Sequence, residues 1–311
     1  MSKKDVIVLN SHGVGQYAYA DHMPVWGETL CVTKWHVAED GGKGSNVSVA
    51  LGRLGIDTAY IGKVGNDPWG DLGEKWMQDA GVDTTYLYRT DEVSTGTGLI
   101  LIGPDGQNTV IDGDSSSVKL TLDEVKAALD AMKGTKMFVT GFEVPEQLSL
   151  DAARYAKELG MVTLVNPSPL PEKPMGRLDY VDYLFINEVE GRYILDLPQD
   201  SPILPQDMLN KVQEKYGVPN IIMTMGGDGS AVLRGDEYWT VESVKVENVV
   251  NTAGAGDGYM AATVAQLILG KDLKEATHWA SKYAALSVTI DGTIPTYRPM
   301  GEVEEFIKSL G

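Results

Sequence analysis

The stretch MFVTGFEVPEQLSLDAARYAKELGMVTLV, residues 137–165, reads as a strand, a helix and a second strand. Residues 137–140 and 162–165 are short apolar runs of the kind buried on both faces of a sheet, and 148–159 between them reads as a helix. The same rhythm continues on the carboxyl side. A strand over 183–186 leads to a short helix near 189–195, and a strand over 221–225 leads to a hairpin region, 231–246. Two helices follow, roughly 256–269 and 273–288. On the amino side, 5–9 reads as a buried strand. Val47, Ala50, Leu51 and Leu54 then recur at helical spacing until Gly55, a strand covers 59–64, and a helix over 69–80 ends at Gly81. Thr121 and Glu124 form a capping box ahead of a helix reaching Met132. Such alternation predicts an α/β fold, a parallel sheet covered by helices on both faces.

Two stretches break the rhythm. Residues 16–35 carry aromatic and β-branched residues interrupted by Pro24 and Gly27, and 85–111 alternates strand-like segments with Gly and Asp turns. We read 13–36 and 93–112 as one small β-sheet lid set into a body formed by 1–12, 37–92 and 113–311.

Composition limits the partners. The 311 residues include 26 Lys and Arg against 44 Asp and Glu, a formal net charge of −18. That surface repels nucleic acid and anionic lipid, so a site for a phosphorylated ligand must build its positive potential locally. The lone cysteine, Cys31, excludes an intramolecular disulfide and reads as a small buried hydrophobe. The apolar run after the first lysines is too short for a signal peptide and no stretch approaches a membrane span, so a cytoplasmic protein is expected.

Four motifs carry the chemistry. In NTAGAGDGYMA, residues 251–261, Gly254, Ala255 and Gly256 precede an apolar-periodic helix. Their amides can form an anion hole at the helix start, with Asp257 placed to take a proton from an accepting hydroxyl. The plainer reading is a helix-entry loop whose aspartate complements the helix dipole. In DGGKGSNVSVALGRLG, residues 40–55, glycines, Lys43 and Asn46 open a helix where backbone and amide can approach a polar ligand. Gly44 follows Lys43 where a P-loop needs Ser or Thr, so this is not a P-loop. In FINEVEG, residues 185–191, Asn187 and Glu190 follow a strand and can hold hydrated Mg²⁺, or Asn187 simply caps a helix. In TMGGDGS, residues 224–230, a strand end runs into glycines that either wrap a nucleotide or turn into the next hairpin. A competing G-x-G-x-x-A dinucleotide fingerprint lies at 13–18, but the aromatic stretch after it meets Pro24, which disfavours the helix it requires.

Together these residues resemble the ribokinase-like family of carbohydrate kinases, the phosphofructokinase-B type. GGKGSN resembles its first signature and NTAGAGDGYMA its second, with MPVWGET ahead of them and VNPSP, NEVEG and TMGGDG between, all at matching places. The resemblance implies a three-layer α/β sandwich with a mainly parallel sheet and a β-sheet lid that often pairs two subunits. It implies phosphoryl transfer from ATP, with Mg²⁺, to a hydroxyl of a sugar-like substrate. Asp257 would be the general base, Gly254–Gly256 the anion hole, and Gly42, Lys43, Asn46 and Glu143 the sugar's partners. Asn187, Thr224, Gly226, Gly227 and Gly229 would serve the nucleotide, and Glu190 the magnesium through water. Asn251 stands where an aspartate usually helps a monovalent-cation site, which leaves activation by K⁺ open. Ser281 stands where many relatives carry Asn or His near adenine. Gly15 replaces an aspartate that grips sugar hydroxyls, which points away from D-ribose and towards a bulkier or anionic substrate met by His12, Lys34 or His36. A nucleoside kinase of the same family and a non-catalytic sugar or nucleotide sensor are the alternatives.

Overall fold

Every side chain of the first strand, Val6–Leu9, is buried, Val6 and Val8 in one apolar cluster, Ile7 and Leu9 in another. Successive side chains of a strand point to opposite faces, so this sheet is covered on both sides. The computed structural model describes residues 3–37, 40–104 and 108–310. Parts of the expected body (1–2, 38–39 and 311) and lid (105–107) lie outside them.

In chain order the elements are β1 (Val6–Leu9), β2 (Gly13–Tyr19), β3 (Lys34–Val37), α1 (Gly42–Arg53), β4 (Thr58–Gly65), α2 (Pro68–Asp79), β5 (Asp83–Thr90), β6 (Gly96–Ile102) and β7 (Asn108–Asp112). There follow α3 (Leu122–Ala131), β8 (Met137–Gly141), α4 (Glu146–Glu158), β9 (Val162–Asn166), β10 (Tyr183–Asn187), α5 (Glu188–Ile194) and α6 (Pro205–Tyr216). The chain ends with β11 (Asn220–Thr224), β12 (Ser230–Arg234), β13 (Glu237–Val241), α7 (Ala255–Ile268), α8 (Leu273–Ser287) and α9 (Met300–Ser309).

Nine strands form one sheet in the order β13-β12-β11-β10-β9-β8-β1-β4-β5. Its strands run parallel from β11 through to β5, and the β12–β13 hairpin adds an antiparallel edge. One face is covered by α1, α2, α7, α8 and α9, through residues such as Leu51, Met77, Val264, Ala280 and Val303. The other is covered by α3, α4 and α6, through Leu129, Ala152 and Val212. The three-layer α/β sandwich is therefore the fold.

A second sheet, in the order β3-β2-β6-β7, joins the two stretches that interrupt the alternation. Residues 83–90 do not belong to it: β5 pairs parallel with β4 at the edge of the large sheet. Gly13–Tyr19 is a strand paired with β6 and β3, so no helix starts at its glycines and the dinucleotide fingerprint falls. Cys31 is exposed rather than buried, because the loop joining β2 to β3 packs little of itself against the body. No helix among the described residues is long and apolar enough to cross a membrane.

Candidate active site

In open α/β sheets, ligands bind beyond the carboxyl ends of the strands, where neighbouring connections diverge. Here β1 sits between β4 and β8, and its end is tied to that of β8 by one side chain: Asn10 Oδ1 accepts from Ser11 N at 3.0 Å and Glu143 N at 3.2 Å. Helix α1 starts close by. A Cβ on Gly44 would collide with the Ser11 carbonyl, so only glycine lets α1 approach this near.

That approach assembles a charged cluster. Lys43 N donates to Glu143 Oε2 at 2.9 Å, and the same oxygen accepts from Ser11 Oγ at 2.9 Å. Lys43 Nζ lies 3.5 Å from Asp257 Oδ1. Asn46 Nδ2 donates to Asp257 Oδ2 at 2.9 Å and to Asp40 Oδ1 at 3.0 Å, while Asn46 Oδ1 accepts from Gly41 N at 3.1 Å. Gly42 N is engaged too, donating to Asp40 Oδ1 at 3.0 Å. Asn46 and the Gly42 amide, expected to face sugar hydroxyls, are thus turned to carboxylates.

One ammonium serves several acids. Asp257 foremost holds Lys43 charged, its pKa raised against the opposing effect of burial, with Glu143 and Glu190 adding to the pull. Burial pushes the Glu143 carboxyl up to about 7, Lys43 working against it, and also raises Asp40 and Glu190. A carboxyl raised by folding favours the folded state fully below its unfolded range and loses that advantage as pH rises to its folded value. We therefore expect the Glu143 contribution to stability to fall between about pH 4.5 and about 7, by an amount on the order of 1–3 kcal/mol. Urea unfolding at pH 5 and pH 8 checks this: Glu143→Gln should shrink the difference between the two, and an unchanged difference would refute it.

Helix α7 begins at Gly254, whose φ of +73° is one that L side chains rarely adopt. Its turn is held by Tyr297, which donates from its hydroxyl to the Gly254 carbonyl at 3.1 Å. Ala255 N donates to the Thr252 carbonyl at 3.3 Å, so of the expected anion-hole amides that one is engaged within the loop. Gly256 N and Asp257 N open the helix, where amides have no carbonyl one turn before them. Asn251 Oδ1 accepts from Ala253 N at 2.9 Å and Nδ2 donates to Asp291 at 3.3 Å, which closes the loop locally.

Beside this helix start lies a cleft of about 390 Å³. Thr224, Gly226, Gly227 and Gly229 line one end, Ala255 and Gly256 another, and Val246, Val249, Ala284 and Val288 supply apolar wall. Ser281 also lines it but gives its hydroxyl to the Glu242 carbonyl at 2.9 Å. Two residues here escaped the sequence reading. Lys245 lines the cleft and donates to the Gly227 carbonyl at 3.0 Å; its one signal is a lysine between two valines, Val244 and Val246. Asp40 opened the first glycine motif without a role.

Asn187 and Glu190 do not line that cleft. They form a capping box on α5: Asn187 Oδ1 accepts from Glu190 N and Glu190 Oε2 from Asn187 N, each at 2.8 Å. No group of three or more His, Cys, Asp or Glu suited to a metal occurs among the described residues. The expected lid cations are also absent from the cluster. His12 is buried, with Nε2 donating to the Trp69 carbonyl at 3.1 Å and Nδ1 facing Ser45 Oγ at 2.8 Å. Burial lowers its pKa to about 4, so it is neutral. Lys34 lies over the Tyr19 ring and His36 stacks on that ring.

Residues 34–299 match the family model described as pfkB family carbohydrate kinase. The chain belongs to that family and is a carbohydrate kinase, a phosphotransferase that uses ATP. It is 29% identical to the ribokinase of Staphylococcus aureus over 301 residues, covering 96% of this chain and 98% of the relative. It is 28% identical to the deoxyribokinase of Salmonella typhi over 304 residues, covering 97% and 98%. Among solved structures it superposes on Arabidopsis thaliana ribokinase complexed with ribose and ATP with a TM-score of 0.86, at 23% identity and over 98% and 99% of the two chains.

Proposed function

We propose that the chain transfers the terminal phosphoryl group of ATP to a hydroxyl of a neutral sugar, with Asp257 as the general base. The observation that carries this reading is the position of Asp257: it stands at the start of α7, between the glycine-lined cleft and the carboxylate cluster, held by Asn46 and Lys43. A carboxylate so fixed can take the proton of an acceptor hydroxyl as its oxygen attacks phosphorus. The amides of Gly256 and Asp257 and the positive end of the helix face the charge that builds on the transferring group. The ammonium of Lys43, kept charged by its acidic neighbours, adds to that local field.

Adenine and ribose fit the apolar wall and the Gly226–Gly229 turn, with Lys245 alongside. Magnesium would neutralise phosphate charge when bound. Glu190, buried and with Oε2 already engaged, suits contact through water, the phosphates supplying other ligands. A monovalent cation at Asn251 would require its Oδ1 to leave Ala253 N.

A neutral acceptor follows from charge. Asp40, Glu143, Glu190 and Asp257 surround Lys43, so an anionic sugar would be repelled, and His12, Lys34 and His36 are engaged elsewhere. The names of the ribokinase and deoxyribokinase relatives support a pentose-sized substrate.

We read 13–36 and 93–112 as a lid over the body formed by 1–12, 37–92 and 113–311. Exposed Val25, Trp26, Trp35 and Ile111 support pairing of two copies through the lid. A cytoplasmic setting suits an ATP-using enzyme with one exposed thiol.

The test is a coupled assay of ADP release with ATP and Mg²⁺ against D-ribose, 2-deoxy-D-ribose, D-fructose, adenosine and a sugar acid. We expect turnover with a neutral sugar exceeding that with the acid by at least tenfold. Turnover of none of them would refute the function, and preference for the acid would refute the charge argument.

A further inference from the structure

Asp40 is held at the centre of the site by contacts that use only half of its carboxylate. Oδ1 accepts from Asn46 Nδ2 and from Gly42 N, each at 3.0 Å. Oδ2 meets no donor among the described residues. Because Asn46 Nδ2 has two hydrogens, it gives one to Asp40 and the other to Asp257 Oδ2 at 2.9 Å. The two bonded oxygens therefore lie no more than about 6 Å apart, and Asn46 sets their relative orientation. The Asp40 carbonyl also accepts from Gly15 N at 3.3 Å, which fixes residue 40 against β2.

We propose that Asp40 is a specificity-determining residue, its Oδ2 accepting a hydrogen bond from a second hydroxyl of the sugar whose reacting hydroxyl faces Asp257. This inference rests on the reading of Asp257 as the base. Two oxygens of one small sugar, a few ångströms apart, match two carboxylates bridged by one amide. Burial disfavours the charged form of Asp40. A hydroxyl donor supplies what water supplies elsewhere, and it does so only when a polyhydroxy substrate is bound. A substrate lacking that hydroxyl leaves a half-buried acceptor unanswered, which is how a polar site rejects a deoxy analogue.

The informative variant is Asp40→Asn. Its amide oxygen can still accept from Asn46 and Gly42, so the scaffold is kept, while an NH₂ replaces the oxygen that would accept from the sugar. The wild-type enzyme is first assayed with D-ribose, 2-deoxy-D-ribose and D-fructose, and the variant is then compared on the best substrate. Failure of the wild type on all three and on adenosine would defeat the underlying reading rather than this one. With an active wild type, the expected result is a tenfold or greater rise in KM for the sugar, KM for ATP within twofold and Tm within about 2 °C. A sugar KM within twofold of wild type would overturn the proposal. So would a loss of stability, or a fall in kcat alone, since either would make Asp40 a support for Asn46 and Asp257 instead of a contact for substrate.

Discussion

Replacing Asp257 by Asn should leave the protein folded and able to bind nucleotide while lowering kcat by ~10²–10⁴-fold, the usual contribution of a positioned general base. An asparagine is the same size and its oxygen can still accept from Asn46, whose amide lies 2.9 Å from Asp257 Oδ2. What it cannot do is take a proton. The KM for ATP should change little, because the cleft is lined by residues 224–229 and by α7 and α8 rather than by this side chain. Steady-state kinetics on the purified variant, with nucleotide binding measured by thermal shift, decide it. A variant keeping more than about a tenth of wild-type kcat would remove Asp257 from the role of base.

Gly254→Ala should be nearly as damaging by a different route. The residue sits in the left-handed region at φ +73°, and a Cβ there would collide with the Thr293 methyl and the Tyr297 hydroxyl. Both neighbours are buried and Tyr297 is tied to the Gly254 carbonyl, so neither can step aside freely. Left-handed backbone for an L-residue costs ~1–2 kcal/mol, and overpacking a buried site a further ~1–3 kcal/mol. We expect a stability loss of roughly 2–5 kcal/mol in urea. Since the same turn aims the Gly256 and Asp257 amides, kcat should fall by on the order of 10²-fold. Wild-type stability together with wild-type turnover would show that this turn does not set the geometry of the site.

Elements whose signals are local stand where the chain predicts them, and those that depend on distant partners do not. The capping box at Thr121 and Glu124 appears as expected, because its partners are three residues apart and need only a helix start between them. Helix α6 lies outside the expected elements although Met208, Leu209, Val212 and Tyr216 recur at helical spacing behind Pro205, because polar residues outnumber that stripe and leave its periodicity weak. Residues 83–90 look like any half-buried strand, and nothing in their alternation says which of two sheets they join. His12, expected beside Lys34 and His36 as a cation able to meet an anionic substrate, is instead enclosed. Only its enclosure by α1 and α2, with Gly73 leaving room for the imidazole, makes it neutral.

Local pattern along the chain sets the alternation of strand and helix, the glycine-led entries of α1 and α7, and the residue types gathered at those entries. These depend on periodicity and on backbone freedom, which act between residues a few positions apart. The tertiary structure decided which polar atoms answer one another. Asn46 meets Asp257 across 211 residues of sequence and Lys43 meets Glu143 across 100. Such pairings come from the closeness of α1 to the end of β1, and a hydrogen bond between distant elements has no local signature. For that reason Asn46 turned out to face two carboxylates, and Asp40, silent in the motif, came to lie beside the proposed base.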